Sequence, residues 1–255
     1  MDLLELLILS LAGLFGGVLA GLFGVGGGAV FVPALVYAAG WKIGEAAAAS
    51  LVIIVFSALS GTLRNMRGEA PVDWRAAAIF SSVVAPSALI GVAVSRFAPE
   101  VVTQLVFAGF LLALAYPTAR SGSRYRENIG TSRIPLALTL LGGVGAGTLA
   151  GLIGIGGAAL TVPLLIWGFG LPPKTAVSTS LAVTLFIGIV GAAGYIVAGF
   201  DRLSGLPPLI VGSMLGAWAG VRIRERLPEV VLQRAFAAFM VLVAVRVLID
   251  VASGF

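Results

Sequence analysis

Neither cysteine nor histidine occurs among the 255 residues, and only 11% of them are charged. Without cysteine there is no disulfide framework and no thiolate metal site. Without histidine the commonest metal ligand and the usual proton acceptor near neutral pH are missing. The shortage of charge excludes more. A soluble domain carries about 25% charged residues because its surface faces water. Here 59% of the residues are hydrophobic, and the charges are too few to cover a surface of this size. That surface must meet lipid. The 11 acidic residues all fall at the ends of apolar stretches or between them. A charge in mid-membrane costs at least about 2.5–3.5 kcal/mol and normally marks an ion or proton path. A buried carboxylate relay is therefore not expected. With no base for a serine nucleophile and no ligand set for a metal, the chain is not expected to be an enzyme or to hold a metal or cofactor. The net charge of +5 is read as basic loops beside a membrane, with no nucleic-acid partner implied.

What is present is a series of apolar stretches, at 3–23, 29–40, 45–63, 76–95, 101–117, 134–153, 158–169, 175–199, 206–221 and 230–249. A full span needs about 20 residues. The stretches 29–40 and 158–169 reach only about 18 Å at 1.5 Å per residue. Each follows a glycine cluster behind a longer apolar stretch, so each pair reads as a broken or hairpin helix. Met1-Asp2-Leu3-Leu4-Glu5 lacks the basic start of a cleavable signal, so the first helix is expected to remain.

The sequence repeats. Residues 20–36, AGLFGVGGGAVFVPALV, return as AGLIGIGGAALTVPLLI at 150–166, an offset of 130 with ten of 17 positions identical. Pro99-Glu100-Val101-Val102 returns as Pro228-Glu229-Val230-Val231 at an offset of 129. The expected organisation is a first membrane repeat at 1–117, a cytoplasmic linker at 118–133 and a second membrane repeat at 134–255. Five helical segments per repeat is an odd number, so the second repeat should be inverted. The basic loops agree. Arg64, Arg67 and Arg75 follow the third segment of the first repeat, whereas Arg222, Arg224 and Arg226 follow the fourth segment of the second. This exchange is what the bias of Lys and Arg toward the cytoplasm requires of inverted repeats. The expected fold is all-α: a polytopic membrane protein of two inverted repeats, with broken or re-entrant helices at the paired glycine motifs and both termini outside.

The glycine clusters GVGGGA and GIGGAA formally fit a dinucleotide fingerprint, but that needs a preceding strand and a soluble βαβ unit. Two readings stay open: glycines that let helices pack closely, and breaks whose freed amides begin a half-helix. A helix N-terminus carries about +0.5 of a charge and unpaired N–H donors, which suits an anion. Paired breaks in inverted repeats point to a shared central site. The candidate substrate-binding residues are Gly24, Gly26, Gly27, Gly28, Gly154, Gly156 and Gly157, with Ser50, Thr179 and Ser180 nearby. Ser57, Ser60, Ser178 and Thr184 lie on the same two stretches, and Lys174 precedes one of them, read as a loop lysine that helps orientation, with a contact to substrate left open. Gly109 and Gly188 are placed on ordinary helices.

The paired glycine motif with its downstream proline, the run Ala176-Val177-Ser178-Thr179-Ser180-Leu181, and the Gly68 to Val72-Asp73-Trp74 loop carry a family resemblance. Together they resemble the TauE/SafE sulfite-exporter family, also called the toluene-sulfonate uptake permeases, over nearly the whole chain. The resemblance implies a bacterial inner-membrane transporter of sulfite, sulfonates or related organosulfur anions. Two features depart from the pattern: Ala48-Ala49-Ser50 stands where the second repeat has Ser178-Thr179-Ser180, and the loop before Trp74 has no histidine. The expected function is secondary transport of a small sulfur oxyanion by alternating access. The alternatives are a passive anion channel and a membrane assembly protein that transports nothing. The expected partners are the anion and lipid, with a homodimer left open.

Overall fold

The computed structural model describes residues 3–24, 26–68, 70–120, 134–201, 206–224 and 229–253. These residues form ten α-helices and no strand: α1 (Leu3–Phe23), α2 (Gly28–Ala39), α3 (Ile43–Asn65), α4 (Trp74–Ser95), α5 (Glu100–Arg120), α6 (Leu136–Ile153), α7 (Ala158–Phe169), α8 (Pro173–Val197), α9 (Pro207–Arg224) and α10 (Glu229–Ser253). The linker from 121 to 133, with Arg124, Arg126 and Arg133, lies outside the described residues, as do Arg202 and Arg226. Five helices, α1, α3, α4, α6 and α8, contain stretches long and apolar enough to cross a membrane. Helices α2 and α7 have 12 residues each, short of the roughly 30 Å hydrocarbon core.

The helix ends follow local chemistry. Gly40 and Gly170 take φ of 66° and 68° after α2 and α7. This left-handed turn lets Trp41 N and Leu171 N donate back to Leu35 O and Leu165 O at 3.1 and 3.3 Å, satisfying carbonyls that the helix end leaves open. Asp73 begins α4, its carboxylate accepting from Ala76 N at 2.9 Å, which meets one of the orphan donors of a helix start. Pro173 begins α8, where its missing N–H costs nothing.

Glycine seams set the packing. A Cβ on Gly13, Gly17 or Gly21 of α1 would collide with the backbone of α9 at Leu209, Ser213 and Ala217, and Gly212, Gly216 and Gly220 meet α1 equally closely. The contacts advance together along both chains, so α1 and α9 run parallel. Helices α4 and α6 repeat this arrangement, Gly147 against Val84, Gly151 against Ala88 and Gly91 against Thr148. Small residues at a spacing of four let backbones approach and gain dispersion contacts that lipid tails cannot replace. At the centre α3 and α8 cross antiparallel, with Gly61 against Leu181 and Gly191 against Leu51. Gly188 sits in that crossing, 3.1 Å from Val55 Cγ2 and 3.3 Å from Leu51 O for an added Cβ. It is therefore a packing glycine, not a neutral one. Gly109 has open space around it. Large side chains such as Leu141, Leu215 and Leu242 point outward and are exposed, as lipid contact allows.

Candidate functional site

The two glycine clusters break the chain in the same way. Gly24, Gly26 and Gly27 have φ of 71°, 76° and 81°, and Gly154, Gly156 and Gly157 have 78°, 78° and 68°. A side chain in this left-handed region costs roughly 1–2 kcal/mol. Gly27 and Gly157 then start α2 and α7, their carbonyls accepting from Phe31 N and Thr161 N at 3.0 and 3.1 Å. The first amides of a helix have no partner within it. Both sets of such amides begin at the breaks, and the breaks touch. A Cβ on Gly28 would collide with the backbone of Gly154 and Ile155, and one on Gly26 would stand 3.6 Å from Ile155 O.

Each break is tied to a helix of the other repeat. The Ser50 hydroxyl of α3 reaches Gly154 O as well as its own Ala47 O at 3.0 Å. The Ser180 hydroxyl of α8 reaches Gly24 O at 3.2 Å and Val177 O at 2.9 Å. Glycine frees the break from its helix ladder, and a serine at the equivalent position takes up a freed carbonyl. Ser57 adds a contact of 3.3 Å to Gly26 O. The sequence-based set is thus gathered at one junction: Gly24, Gly26, Gly27, Gly28, Gly154, Gly156, Gly157, Ser50 and Ser180. Thr179 turns elsewhere, accepting from Asp73 N at 3.0 Å. Ser60 ties α3 to α9 through Met214 O at 2.7 Å, and Ser178 accepts from Arg224 at 3.1 Å.

The residue that sequence reasoning left out of the set is Thr184. A Cβ on Gly26 would lie 2.7 Å from Thr184 Cγ2, and one on Gly156 would lie 3.0 Å from it. Ile54, the equivalent residue in the first repeat, faces both glycines from the other side at 3.5 and 3.2 Å. Thr184 is fully buried, and its hydroxyl has no hydrogen-bond partner. A helical threonine ordinarily bonds back to a carbonyl of the preceding turn. Here the methyl faces the two glycines and the hydroxyl, on the other branch of Cβ, stays unspent. Its only sequence signal is the break in the repeat, threonine where the first copy has isoleucine.

Known proteins resemble this chain along most of its length. The profile described as Sulfite exporter TauE/SafE matches residues 9–247. The chain is 28% identical over 261 residues to a probable membrane transporter protein of Haemophilus influenzae, covering 94% of this chain and 97% of that protein. It is 26% identical over 249 residues to the probable membrane transporter protein YunE of Bacillus subtilis, covering 88% and 90%. Sulfite exporter TauE/SafE family protein 5 of Arabidopsis thaliana is 29% identical over 103 residues, 40% of this chain and 23% of that protein. No solved structure matches the chain. A multi-pass bundle of apolar helices, matched along almost its full length by that profile and by relatives named as membrane transporters, belongs to the sulfite exporter TauE/SafE family of membrane transporters.

Proposed function

We propose that the chain is a secondary transporter carrying a small sulfur-containing oxyanion, sulfite or a sulfonate, across the bacterial inner membrane by alternating access. The observation that carries this reading is the meeting of two equivalent helix breaks, Gly28 against Gly154 and Ile155, each held by a serine from the other repeat. Two half-helix N-termini at one junction suit an anion, as in transporters built from inverted repeats. Each contributes about 0.3–1 kcal/mol when exposed and up to ~2 kcal/mol when partly buried. Such terms give weak binding, about micromolar or poorer, which suits a carrier that must release its cargo. Residues 1–117 and 134–255 are the two inverted repeats, with 118–133 as the cytoplasmic linker. The antiparallel crossing of the equivalent helices α3 and α8 supports the inversion. The choice of sulfur, and of outward transport, leans on the description of the family as sulfite exporters.

The test is counterflow in proteoliposomes with labelled sulfite, a sulfonate, phosphate and a monovalent cation. Saturable movement of sulfite or the sulfonate is expected. Transport of the cation alone overturns the anion mechanism. Transport of another anion but neither sulfur compound removes the substrate assignment. Non-saturable anion flux makes the protein a channel, and no flux of any probe leaves a membrane assembly protein.

A further inference from the structure

A groove of about 600 Å³ lies where the end of α2, the start of α5 and the end of α10 meet, away from the basic loops. Most of its lining is apolar, with Val36 of α2, Trp41, Phe107 of α5 and Val247 of α10. Charge enters it from one helix face. Arg246 and Asp250 of α10 line the groove as an ion pair at 3.3 Å, and the Arg246 guanidinium lies 5.3 Å from the centre of the Tyr37 ring. The Arg246 side chain is 58% exposed and that of Asp250 only 16%. The cation reaches outward and the carboxylate is sheltered.

Helix stability does not account for the pair. Asp250 stands at the C-terminal end of α10, where the negative end of the helix dipole disfavours a carboxylate. An arginine four residues before an aspartate is the weaker of the two orders, and an exposed ion pair contributes little. Nor does the repeat require it. Under the repeat offsets Arg246 and Asp250 correspond to Pro117 and Ser121, and Tyr37 to Trp167. Two opposite charges side by side along an apolar groove are the complement of a zwitterionic amphiphile. A simple anion would meet a cation already balanced by Asp250, and would leave the apolar wall without a use.

We propose that this groove holds one phosphatidylethanolamine, its phosphate on Arg246, its ammonium on Asp250 and its acyl region against Val36, Trp41 and Val247. A guanidinium has five N–H donors and a carboxylate about four lone-pair sites, so their mutual pairing leaves capacity on both. The phosphate accepts charge-assisted bonds from the guanidinium, which the Tyr37 ring holds by its face. The ammonium donates to the carboxylate, which a trimethylammonium head has no proton to do. The site depends on the membrane setting of the chain and not on what it transports. Its place gives it a bearing on function, because α2 runs from Gly28 at the glycine junction to this groove.

The experiment reads the site without transport. Purified full-length protein in detergent is titrated with phosphatidylethanolamine, phosphatidylcholine or phosphatidylglycerol of the same acyl chains, and bound lipids are counted by native mass spectrometry. The first phosphatidylethanolamine is expected to bind about tenfold more tightly than either other lipid, equivalent to ~1.4 kcal/mol. Asp250→Asn removes the partner of the ammonium and leaves the guanidinium unbalanced, so phosphatidylglycerol should then bind at least as tightly. Val36→Trp fills the groove without touching the charged pair, and should abolish the tight first binding while later, weaker binding stays. Equal affinity for either other lipid in the unaltered protein overturns the proposal, and so does a preference that survives Asp250→Asn. Unchanged tight binding in Val36→Trp puts the lipid elsewhere and removes the site as well.

Discussion

Position 184 shows what a single atom can decide. Ile54 and Thr184 are equivalent in the repeat and face the same two glycines with methyl groups, but only Thr184 also carries a hydroxyl, buried and without a partner. A hydrogen bond to a charged group contributes about 1.5–3 kcal/mol, so Thr184→Val should raise the KM for the anion by about tenfold or more. Thr184→Ser should keep the KM near its original value. Melting temperature in detergent should stay within a few degrees for both, and an unchanged KM in Thr184→Val would remove the residue from the site. The glycines beside it act through the backbone. Gly26→Leu and Gly156→Leu each place a side chain at a φ near 77° and into Thr184. Transport should be abolished while the protein still inserts. Gly109→Leu, with nothing within 4 Å of its Cβ, is the matching control, and equal tolerance of all three would reduce the breaks to packing.

At the scale of elements, glycine does two jobs that look alike in the sequence. On α1, α6 and α9 it permits close parallel seams, and at 24–27 and 154–157 it permits a left-handed break. Close packing and left-handed turns both occur, at different glycines. Gly17→Leu and Gly147→Leu, which force α1 from α9 and α6 from α4, should prevent accumulation of folded protein, in contrast to the break substitutions. The serine ties are weaker elements. Ser50→Ala and Ser180→Ala should each lower stability by about 0.5–1.5 kcal/mol, read as loss of melting temperature, and equivalence of the repeats predicts similar losses for both. The ten described helices, the two short ones included, were legible because apolar length and glycine punctuation act locally. The pairing of α1 with α9 and α6 with α4 was not, because small-residue spacing names a face without naming its partner. The separation of Thr179 from the junction was hidden for a related reason: side chains in one run of α8 point to different neighbours, and only packing shows that Thr179 meets Asp73 while Thr184 meets the breaks.

For the whole molecule, orientation is the property with the sharpest prediction. Lys and Arg near a span hold it on the cytoplasmic side. Arg64, Arg67, Arg75, Lys174, Arg222 and Arg224 gather beside the end of α3, the starts of α4 and α8 and the end of α9. The contacts are consistent with a single end: Arg224 touches Asn65 and Ser178, Arg64 and Arg222 both lie over the Trp218 ring, at 6.0 and 5.7 Å, and Thr179 accepts from Asp73. The other end keeps Arg96 and Lys42, and Arg246 there is paired with Asp250 at 3.3 Å. The first end should therefore be cytoplasmic, with both termini outside. Because the chain has no cysteine, single cysteines introduced as Gly68→Cys, Gly122→Cys and Ser204→Cys report on their own positions without background. In intact cells a membrane-impermeant thiol reagent should label only position 204, and permeabilised cells should label all three. Labelling of 122 but not 68 from outside would break the inverted arrangement, since the linker between the repeats must share a side with both basic loops. Labelling of 68 and 122 together, with 204 protected, would instead keep the inversion and turn the whole protein over, placing the Arg224 cluster at the outer mouth.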